Sequence, residues 1–391
     1  MKKREKIRFN KPYLSGKELY YISKAIYRGH LSGNREFTFE CHEFFKLRFG
    51  FKKTLLTTSC TDALEMAAIL LDIKPDDEII MPSYTFVSTA NAFVLRGARI
   101  IFADSYSDNP NIDPISIEPL ITKKTKAIVV VHYAGIACDM DVIMAIAKRH
   151  NLYVVEDAAQ AIDSYYKGKP LGSIGHLAAF SFHETKNVIS GEGGMLVIND
   201  DRFATRAEII WEKGTNRSAF FRGEVDKYGW VDIGSSFLPS EIIAAFLYAQ
   251  LENLDDIQSK RKAIWKQYYE VLKEIVSSDT FSLPIIPDYA SNNAHIFYLV
   301  LPNLEQRQNF IKYLRDNDIY AVFHYLSLHK SPFYYNKYKG KELPNCDRFA
   351  DCLVRLPLFY ELHYKQQEEV TNCILEFFIK NRTSNLSNLE K

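Results

Sequence analysis

Two residues able to hold a carbonyl cofactor stand at the ends of apolar segments. Lys186 follows "LAAFSFHET", and Asp157 ends "LYVVED". Short, dense apolar runs are typical of buried strands, and a lysine leaving one is costly to bury without a partner or a chemical task. One such task is a Schiff base, which requires the amine to lose its proton. The pair predicts a site for pyridoxal 5'-phosphate (PLP), with Lys186 on the aldehyde and Asp157 on the ring nitrogen.

Lys186 has a second expected task, because an amine displaced from the aldehyde by substrate can move a proton between substrate and cofactor carbons. Asp157 is open to another interpretation, a strand-end aspartate that caps the next helix. Neighbouring Glu156 is expected to point to the opposite face of the strand.

A phosphate site is predicted in "TTSCTDALEMAAILL", where a strand ends near Thr58 and a helix begins near Thr61. The backbone N–H groups of Cys60 and Thr61, together with the helix dipole, suit a phosphate. Ser181 could add a hydroxyl. Ordinary helix capping explains the same residues equally well.

An aromatic partner for the cofactor ring is expected at Phe86, in "MPSYTFVSTANAF". An aromatic face stacks favourably on a flat heterocycle, although a phenylalanine in the core is at least as common. No GxGxxG sequence follows the first strand, which disfavours a nicotinamide-dependent dehydrogenase.

The elements that must position these residues alternate between strand and helix from about residue 54 to 200. Such alternation predicts an α/β fold with a mainly parallel sheet, whose strand ends bind ligands. Helices are predicted at 61–71, 87–95 and 141–150. The predicted strands are "TLLTTS", "DEIIMP", "ARIIFAD", "KAIVVVHY", "LYVVED", "LAAFSF" and "GMLVIND".

The second half of the chain has a different pattern. A polar stretch at 213–236 is too long for a simple connector, and a long helical segment is predicted over about 239–275. Strands in "AHIFYLVL" and "YAVFHY" and helices at 304–317 and 364–379 indicate a smaller α/β unit. We therefore expect a large cofactor-binding domain at 1–250 and a small domain at 251–391.

Composition excludes several classes of function. The 391 residues carry a net charge of +1, which argues against nucleic-acid or membrane-surface partners. No apolar run approaches the roughly 20 residues of a membrane helix, and the basic start lacks the apolar segment of a secretory signal. The six cysteines are scattered without a CxxC pair. This pattern predicts no metal site and a reducing, cytoplasmic setting.

The whole chain, from "RFNKP" to "RLPLF", resembles the DegT/DnrJ/EryC1/StrS sugar aminotransferases. The resemblance is carried by "TTSCTDALEMA", "VVEDAAQA", "SFHETKN", "GEGGM" and "NAHIFYLV". "SFHETKN", "KGTNRSAFFRGEVDKYGW" and "DIGSS" are most similar to the subgroup that makes dTDP-4-amino-4,6-dideoxygalactose for enterobacterial common antigen. The resemblance implies a fold-type I PLP enzyme, usually a homodimer, that takes L-glutamate and a dTDP-linked ketosugar.

Site residues follow from the same resemblance. The motifs place the lysine on Lys186, the ring aspartate on Asp157, the stacking aromatic on Phe86, and phosphate contacts on Cys60, Thr61 and Ser181. Gln160 is expected near the ring oxygen. In many members an asparagine of the neighbouring subunit reaches the phosphate, and its position here holds the shorter Ser236. The segment 213–236 would make the cross-subunit contribution. The remaining expected substrate contacts are Arg217, Arg222, His324, Tyr325 and His329.

Other functions remain open at this stage. Amination at carbon 3, or at carbon 4 of another nucleotide-linked ketosugar, depends on how the sugar lies against the cofactor. Sugar dehydratases of the same fold replace the lysine with histidine, and Lys186 disfavours that reading. Intact Lys186 and Asp157 also disfavour a non-catalytic binding protein.

Overall fold

The strands and helices of the chain are described here from a computed structural model that covers residues 6–277 and 280–389, with side chains described up to residue 379. The strands are β1 (Lys53–Thr57), β2 (Glu78–Pro82), β3 (Arg99–Ala103), β4 (Thr125–Val131), β5 (Tyr153–Asp157), β6 (Tyr165–Tyr166), β7 (Lys169–Pro170), β8 (Leu177–Ser181), β9 (Gly194–Ile198), β10 (Tyr298–Val300) and β11 (Leu353–Arg355). The helices are α1 (Glu18–Tyr27), α2 (Glu36–Phe49), α3 (Cys60–Leu70), α4 (Val87–Val94), α5 (Met140–Arg149), α6 (Ala204–Trp211), α7 (Arg217–Phe221), α8 (Glu241–Leu251), α9 (Leu254–Leu272), α10 (Leu304–Asp316), α11 (Pro344–Cys352) and α12 (Tyr364–Leu389). Short 3-10 helices lie at Pro114–Ser116, Glu118–Leu120, Tyr133–Gly135, Asp201–Phe203, Lys273–Ile275 and Leu328–Lys330.

The seven predicted apolar segments form one sheet in the order β1-β9-β8-β5-β4-β2-β3. β8, β5, β4, β2 and β3 run parallel, while β9 is antiparallel to both of its neighbours. The carboxyl ends of β1, β2, β4, β5 and β8 therefore meet at one edge. Because β9 runs the other way, its first residue, Gly194, reaches that same edge opposite Thr57 and Ser181. The α/β fold with a mainly parallel sheet is confirmed.

Both faces of the sheet are buried, as expected for parallel strands covered by helices. Along β2, Ile79 and Met81 belong to one core and Ile80 to the other. The first core also contains α3 and α4, and the second contains α2, α5 and α8. The alternation explains why these strands are apolar throughout: each residue, up or down, meets a helix.

A third core lies in the C-terminal part of the chain, between α9, α10, α12 and the antiparallel pair β10–β11. Ile7 belongs to it too, because the N-terminal segment pairs with Ile319. The first turns of α9 lie against the sheet core through Leu254, and its later turns against the third core through Ile264. A division into two domains near residue 250 stays a prediction.

One expectation about the second half was wrong, and two others gain detail. The stretch 213–236 contains the short helix α7. The predicted helical segment at 239–275 forms α8, α9 and a 3-10 helix, and it is interrupted at Asn253, which leaves helical geometry and whose side chain donates back to the carbonyl of Ala249 (3.0 Å). "YAVFHY" forms no strand; its one ladder contact is a bridge between Val322 and Arg355. After Val322 the chain turns its aromatic side chains towards a cavity.

Candidate active site

A cavity of about 930 Å³ opens where the strand ends meet. One wall comes from the edge of the sheet, and the facing wall comes from the C-terminal part of the chain. The sequence-predicted residues that line it are Cys60, Thr61, Phe86, Asp157, Gln160, Ser181, Lys186, His324 and Tyr325. Residues far apart in the sequence are thus brought to one site by strand order.

Asp157, the last residue of β5, is buried at the cavity floor and only 6% exposed. Its Oδ2 accepts a hydrogen bond from Thr89 Oγ1 on α4 (2.7 Å), and its Oδ1 accepts one from the N–H of Ala159 (3.1 Å). Burial raises the pKa of Asp157, while these two bonds and the nearby charge of Lys186 act in the opposite direction. The carboxylate is therefore held in place and would be favoured further by a cationic partner in the cavity.

Glu156 points the other way, as predicted for adjacent strand residues. It is fully buried beneath the site, where it bonds to His132 Nε2 (2.9 Å) and accepts from the N–H groups of Gly172, Ile174 and Gly175. His132 Nδ1 accepts from the N–H of Cys138 (3.2 Å), so the ring proton lies on Nε2 and is donated to Glu156. The pair ties the ends of β4 and β5 together.

Lys186 lies in the turn between β8 and β9, with its N–H bonded to the carbonyl of His183 (2.8 Å). The next residue anchors this turn. Asn187 donates to Gln258 Oε1 and to the carbonyl of Asn293 (both 2.8 Å), and its Oδ1 pairs with His295 Nδ1 (2.8 Å). The turn is thereby fixed to α9 and to the segment before β10.

The environment of Lys186 favours a neutral amine. Burial is the largest influence and lowers the pKa of Lys186, and Arg355 acts in the same direction, while Cys60 and Asp157 oppose it. The side chain keeps part of its surface towards the cavity. A lysine with a lowered pKa and access to a cavity has the properties of a nucleophile or a proton carrier.

The predicted phosphate site is the N-terminus of α3. Ser59 caps the helix by accepting from the N–H of Asp62 (3.1 Å), and Ser59, Cys60 and Thr61 all line the cavity. Thr61 Oγ1 donates to Ser88 Oγ (2.8 Å) at the start of α4. The residues that cap α3 also line the cavity. The two interpretations of this motif, a helix cap and a phosphate site, are therefore compatible.

The glycine cluster after Lys186 has a steric reason at Gly194. A Cβ at that position would lie 2.3 Å from the carbonyl carbon of Ser59 and 2.4 Å from the nitrogen of Cys60. Only glycine lets β9 pass this close to the start of α3.

Phe86 and Gln160 both line the cavity and both lie close to Tyr325. Phe86 caps α4 and exposes 55% of its surface, unlike a core phenylalanine. Gln160 accepts from the N–H of Ala134 (2.7 Å) and donates to the hydroxyl of Tyr325 (2.8 Å). The ring of Tyr325 stacks on His324, whose Nδ1 bonds to the hydroxyl of Tyr133 (2.8 Å).

Four residues expected at the site do not line the cavity within this chain. His329 is buried, bonded to Ser83 Oγ (2.7 Å) and close to Asp347. Arg222 pairs with Glu208 and Glu224. Arg217 lies over the ring of Phe221, and Ser236 is exposed beside Glu212.

Among the residues that sequence reasoning missed are Thr89, which contacts Asp157 without lining the cavity, and Arg355, which lines it. Thr89 holds Asp157, and its only signal was its position one helical turn after Phe86. Arg355 begins the "RLPLF" block and lines the cavity beside Lys186. Nothing local distinguished it from the many surface arginines.

Comparison with known proteins decides the family. Residues 18–375 match the family described as "DegT/DnrJ/EryC1/StrS aminotransferase family". The chain belongs to this family. It is therefore an enzyme of the transaminase kind, and its cofactor is PLP.

Individual relatives agree with this assignment. The spore coat polysaccharide biosynthesis protein SpsC of Bacillus subtilis is 32% identical over 376 residues, covering 94% of this chain and 95% of that protein. DesV of S. venezuelae, solved in complex with a ketimine intermediate, is 27% identical, with a TM-score of 0.87 over 96% of this chain and 99% of that one. TlmJ of Streptoalloteichus hindustanus is 25% identical, with a TM-score of 0.87 over 95% and 98%. The fold-type I architecture is thus shared along nearly the whole chain.

The residues present fit PLP on their own chemistry. The cavity supplies a desolvated amine, a buried carboxylate, an exposed aromatic face and a helix N-terminus. Among the described residues, no cluster of three or more His, Cys, Asp or Glu side chains could hold a metal ion. No helix in the described part of the chain is long and apolar enough to cross a membrane.

Proposed function

We propose that this enzyme moves an amino group from L-glutamate to carbon 4 of dTDP-4-keto-6-deoxy-D-glucose, giving 2-oxoglutarate and dTDP-4-amino-4,6-dideoxy-D-galactose. The observation that carries the proposal is a lysine, Lys186, beside the buried carboxylate of Asp157 in a cavity of about 930 Å³. That volume is at the upper end of the roughly 300–1,000 Å³ of ordinary ligand sites. It suits PLP together with a bulky second substrate.

PLP supplies an electron sink for the pair of electrons left when a proton leaves the amine-bearing carbon. Asp157 would keep the ring nitrogen protonated, and Thr89 and the N–H of Ala159 orient Asp157 and favour its ionised form. Lys186 would anchor the cofactor. Once displaced by substrate, its amine would move a proton between the amine-bearing carbon of the donor and the cofactor carbon, a task helped by its lowered pKa.

The other cavity residues are proposed to bind and orient the cofactor and the substrate. The N-terminus of α3, with Cys60 and Thr61, and the hydroxyl of Ser181 hold the phosphate. Phe86 presents its exposed face to the ring, and Gln160 lies near the ring oxygen. His324 and Tyr325 contact the substrate from the facing wall.

A homodimer is part of this proposal. The segment 213–236 exposes large apolar side chains, with Trp230 82% exposed and Phe221 65%. Exposed apolar clusters of this kind mark interaction surfaces. We propose that this segment, with Arg217, Arg222 and Ser236, serves the cavity of the second subunit, and that His329 supports the substrate wall from beneath.

The setting is proposed to be cytoplasmic, since the thiols of Cys41, Cys60, Cys138, Cys346 and Cys352 are free. SpsC is named for spore coat polysaccharide synthesis. By analogy, the amino sugar made here is proposed to enter a cell-surface polysaccharide, such as enterobacterial common antigen or lipopolysaccharide.

The test of the activity is product analysis by NMR after incubation with PLP, L-glutamate and dTDP-4-keto-6-deoxyglucose. An axial amine at carbon 4 is expected. An equatorial amine, amination at carbon 3, or water loss without an amino donor would contradict the substrate assignment. The same assay with the UDP-linked ketosugar tests the nucleotide.

The dimer is tested by mixing two inactive variants, Lys186→Ala and Arg217→Ala. If the segment 213–236 serves the neighbouring site, mixed dimers contain one intact site and regain part of the wild-type activity. Sedimentation at a monomer mass, or two variants that never complement each other, would contradict this part of the proposal.

A further inference from the structure

A half-buried arginine lies beside Lys186 without a carboxylate partner. Arg355, the last residue of β11, lines the main cavity and a small adjoining cavity of about 50 Å³ that Lys186 also lines. Its Nη2 donates to the carbonyl of Phe323 (3.2 Å), and its guanidinium lies 4.6 Å from the ring centre of Phe9. Its Nε is buried with no hydrogen-bond partner. Among the described residues, no carboxylate lies within ion-pair distance of Arg355.

The groups around Arg355 do not balance its charge. Burial and the nearby cations hold the pKa values of His295 and His324 well below their ordinary range, so both imidazoles are neutral. Asp347 also lines the cavity, but it is engaged by Lys330 (2.7 Å). Guanidinium groups stay protonated in proteins. A desolvated cation without a counter-ion is unfavourable, so an anion entering this part of the cavity would be bound strongly.

The backbone around Arg355 is fixed, which suits a binding group. Its N–H donates to the carbonyl of Val322 (2.8 Å), its own carbonyl accepts from Val322 (3.1 Å), and it pairs with Tyr298 across β10–β11. A guanidinium fork matches a carboxylate with two parallel hydrogen bonds.

We propose that Arg355 binds the carboxylate of the amino donor that is attached to the carbon carrying the amine. The inference rests on the transaminase activity proposed above and names the residue that recognises its amino donor. That carboxylate is one bond from the reacting carbon, and must therefore lie close to Lys186. The diphosphate of a sugar nucleotide sits on carbon 1, across the sugar ring from carbon 4, so it lies farther from the lysine.

The experiment compares the two half-reactions of R355Q and R355K with wild type. The donor half is followed by loss of the visible band of lysine-bound PLP on adding L-glutamate. The acceptor half uses enzyme loaded with pyridoxamine phosphate and the ketosugar. Affinity for 2-oxoglutarate is measured by calorimetry on the pyridoxamine form. R348Q is the matched control, since Arg348 also lies over an aromatic ring and donates to a carbonyl, but faces solvent.

For R355Q we expect kcat/KM for glutamate to fall about 100-fold and the Kd of 2-oxoglutarate to rise at least about 10-fold, as for loss of charge-assisted bonds. The acceptor half should change less than about 3-fold. R355K keeps the charge but not the fork, and should lose about 10-fold in the donor half alone. If R355Q does not fold, R355K carries the test.

Equal losses in both half-reactions, or a loss confined to the ketosugar half, would overturn the inference, the latter by assigning Arg355 to the diphosphate. Unchanged glutamate kinetics in both variants would overturn it as well. Failure of the wild-type enzyme to react with glutamate would instead contradict the proposed function, so the two failures are distinguishable.

Discussion

The two walls of the cavity are built in different ways. On the sheet wall, Asp157, Ser181 and the start of α3 sit at strand ends, and each carboxylate oxygen of Asp157 already accepts one hydrogen bond from the protein. On the facing wall, His324 and Tyr325 lie in a segment without regular structure, and Arg355 leaves a buried nitrogen unpaired. The acid of the sheet wall is held in place by the protein, whereas the guanidinium of the facing wall keeps an unpaired donor.

The difference separates two tasks. A cofactor needs fixed partners, because its ring and phosphate stay in place through each cycle. Substrates bind and leave in each cycle. The wall that contacts them therefore keeps a charged hydrogen-bond donor, the guanidinium of Arg355, available for them. Removing a group from the sheet wall should therefore reduce all turnover, whereas removing one from the facing wall should affect a single substrate, as tested above with Arg355.

The largest effect is expected for Lys186→Ala. Loss of both the cofactor anchor and the proton carrier should reduce kcat by at least about 10⁴-fold in both half-reactions. The visible band of lysine-bound PLP should also disappear, which absorbance measures directly. Lys167→Ala is the control, because Lys167 is an exposed lysine paired with Asp141. Turnover by Lys186→Ala near the wild-type rate would contradict the assignment.

Asp157→Asn is expected to reduce kcat by about 10²–10³-fold, since a neutral amide cannot keep the ring nitrogen protonated. Both half-reactions should slow together, which stopped-flow absorbance would show. Asp141→Asn removes an exposed carboxylate and serves as the control. An effect confined to one substrate would mean that Asp157 acts on that substrate and not on the cofactor. It would contradict the assignment of the sheet wall to the cofactor.

Thr89→Val should reduce kcat by about 10-fold, because one hydrogen bond to a charged group contributes roughly 1.5–3 kcal/mol and Ala159 still holds the other carboxylate oxygen. The absorbance of bound PLP should show a lower ring-nitrogen pKa. Thr371→Val, a buried helical threonine in the third core, is the matched control for lost stability alone. Identical kinetics for the Thr89 variant and wild type would remove Thr89 from the site.

The smallest effect concerns stability without cofactor. The pKa of Lys186 is lowered by burial, so the unfolded chain binds its proton more readily than the folded one. Burying the protonated amine of Lys186 lowers the free energy of unfolding. This loss is complete below the folded pKa of Lys186 and disappears as pH rises towards the ordinary value of 10.5. Lys186→Met apoprotein should thus be more stable than wild-type apoprotein near neutral pH, with a smaller advantage near pH ~9.5. Urea unfolding at both pH values measures this, and an advantage that grows with pH would contradict the sign.

Much of the sheet wall could be predicted from the sequence. Apolar runs revealed all seven strands of the main sheet, and residues that follow them, such as Lys186 and Phe86, could be assigned to one edge. The facing wall could not, because "YAVFHY" is as apolar as a strand yet leaves the sheet after Val322. The side chains of this segment line a cavity, and the alternating pattern that identifies strands does not indicate which residues line a cavity.

The sequence alone was enough to predict the type of sheet and the cofactor class, both confirmed, and to predict Lys186 and Asp157 as the residues that hold the cofactor. Local physics is sufficient there, since burial, periodicity and amine chemistry act within a few residues. Tertiary structure alone decided which distant groups complete the site: Thr89 beside Asp157, Gly194 against Ser59, and Arg355 beside Lys186. These contacts depend on strand order and on the packing of the C-terminal part of the chain, which short-range patterns do not encode.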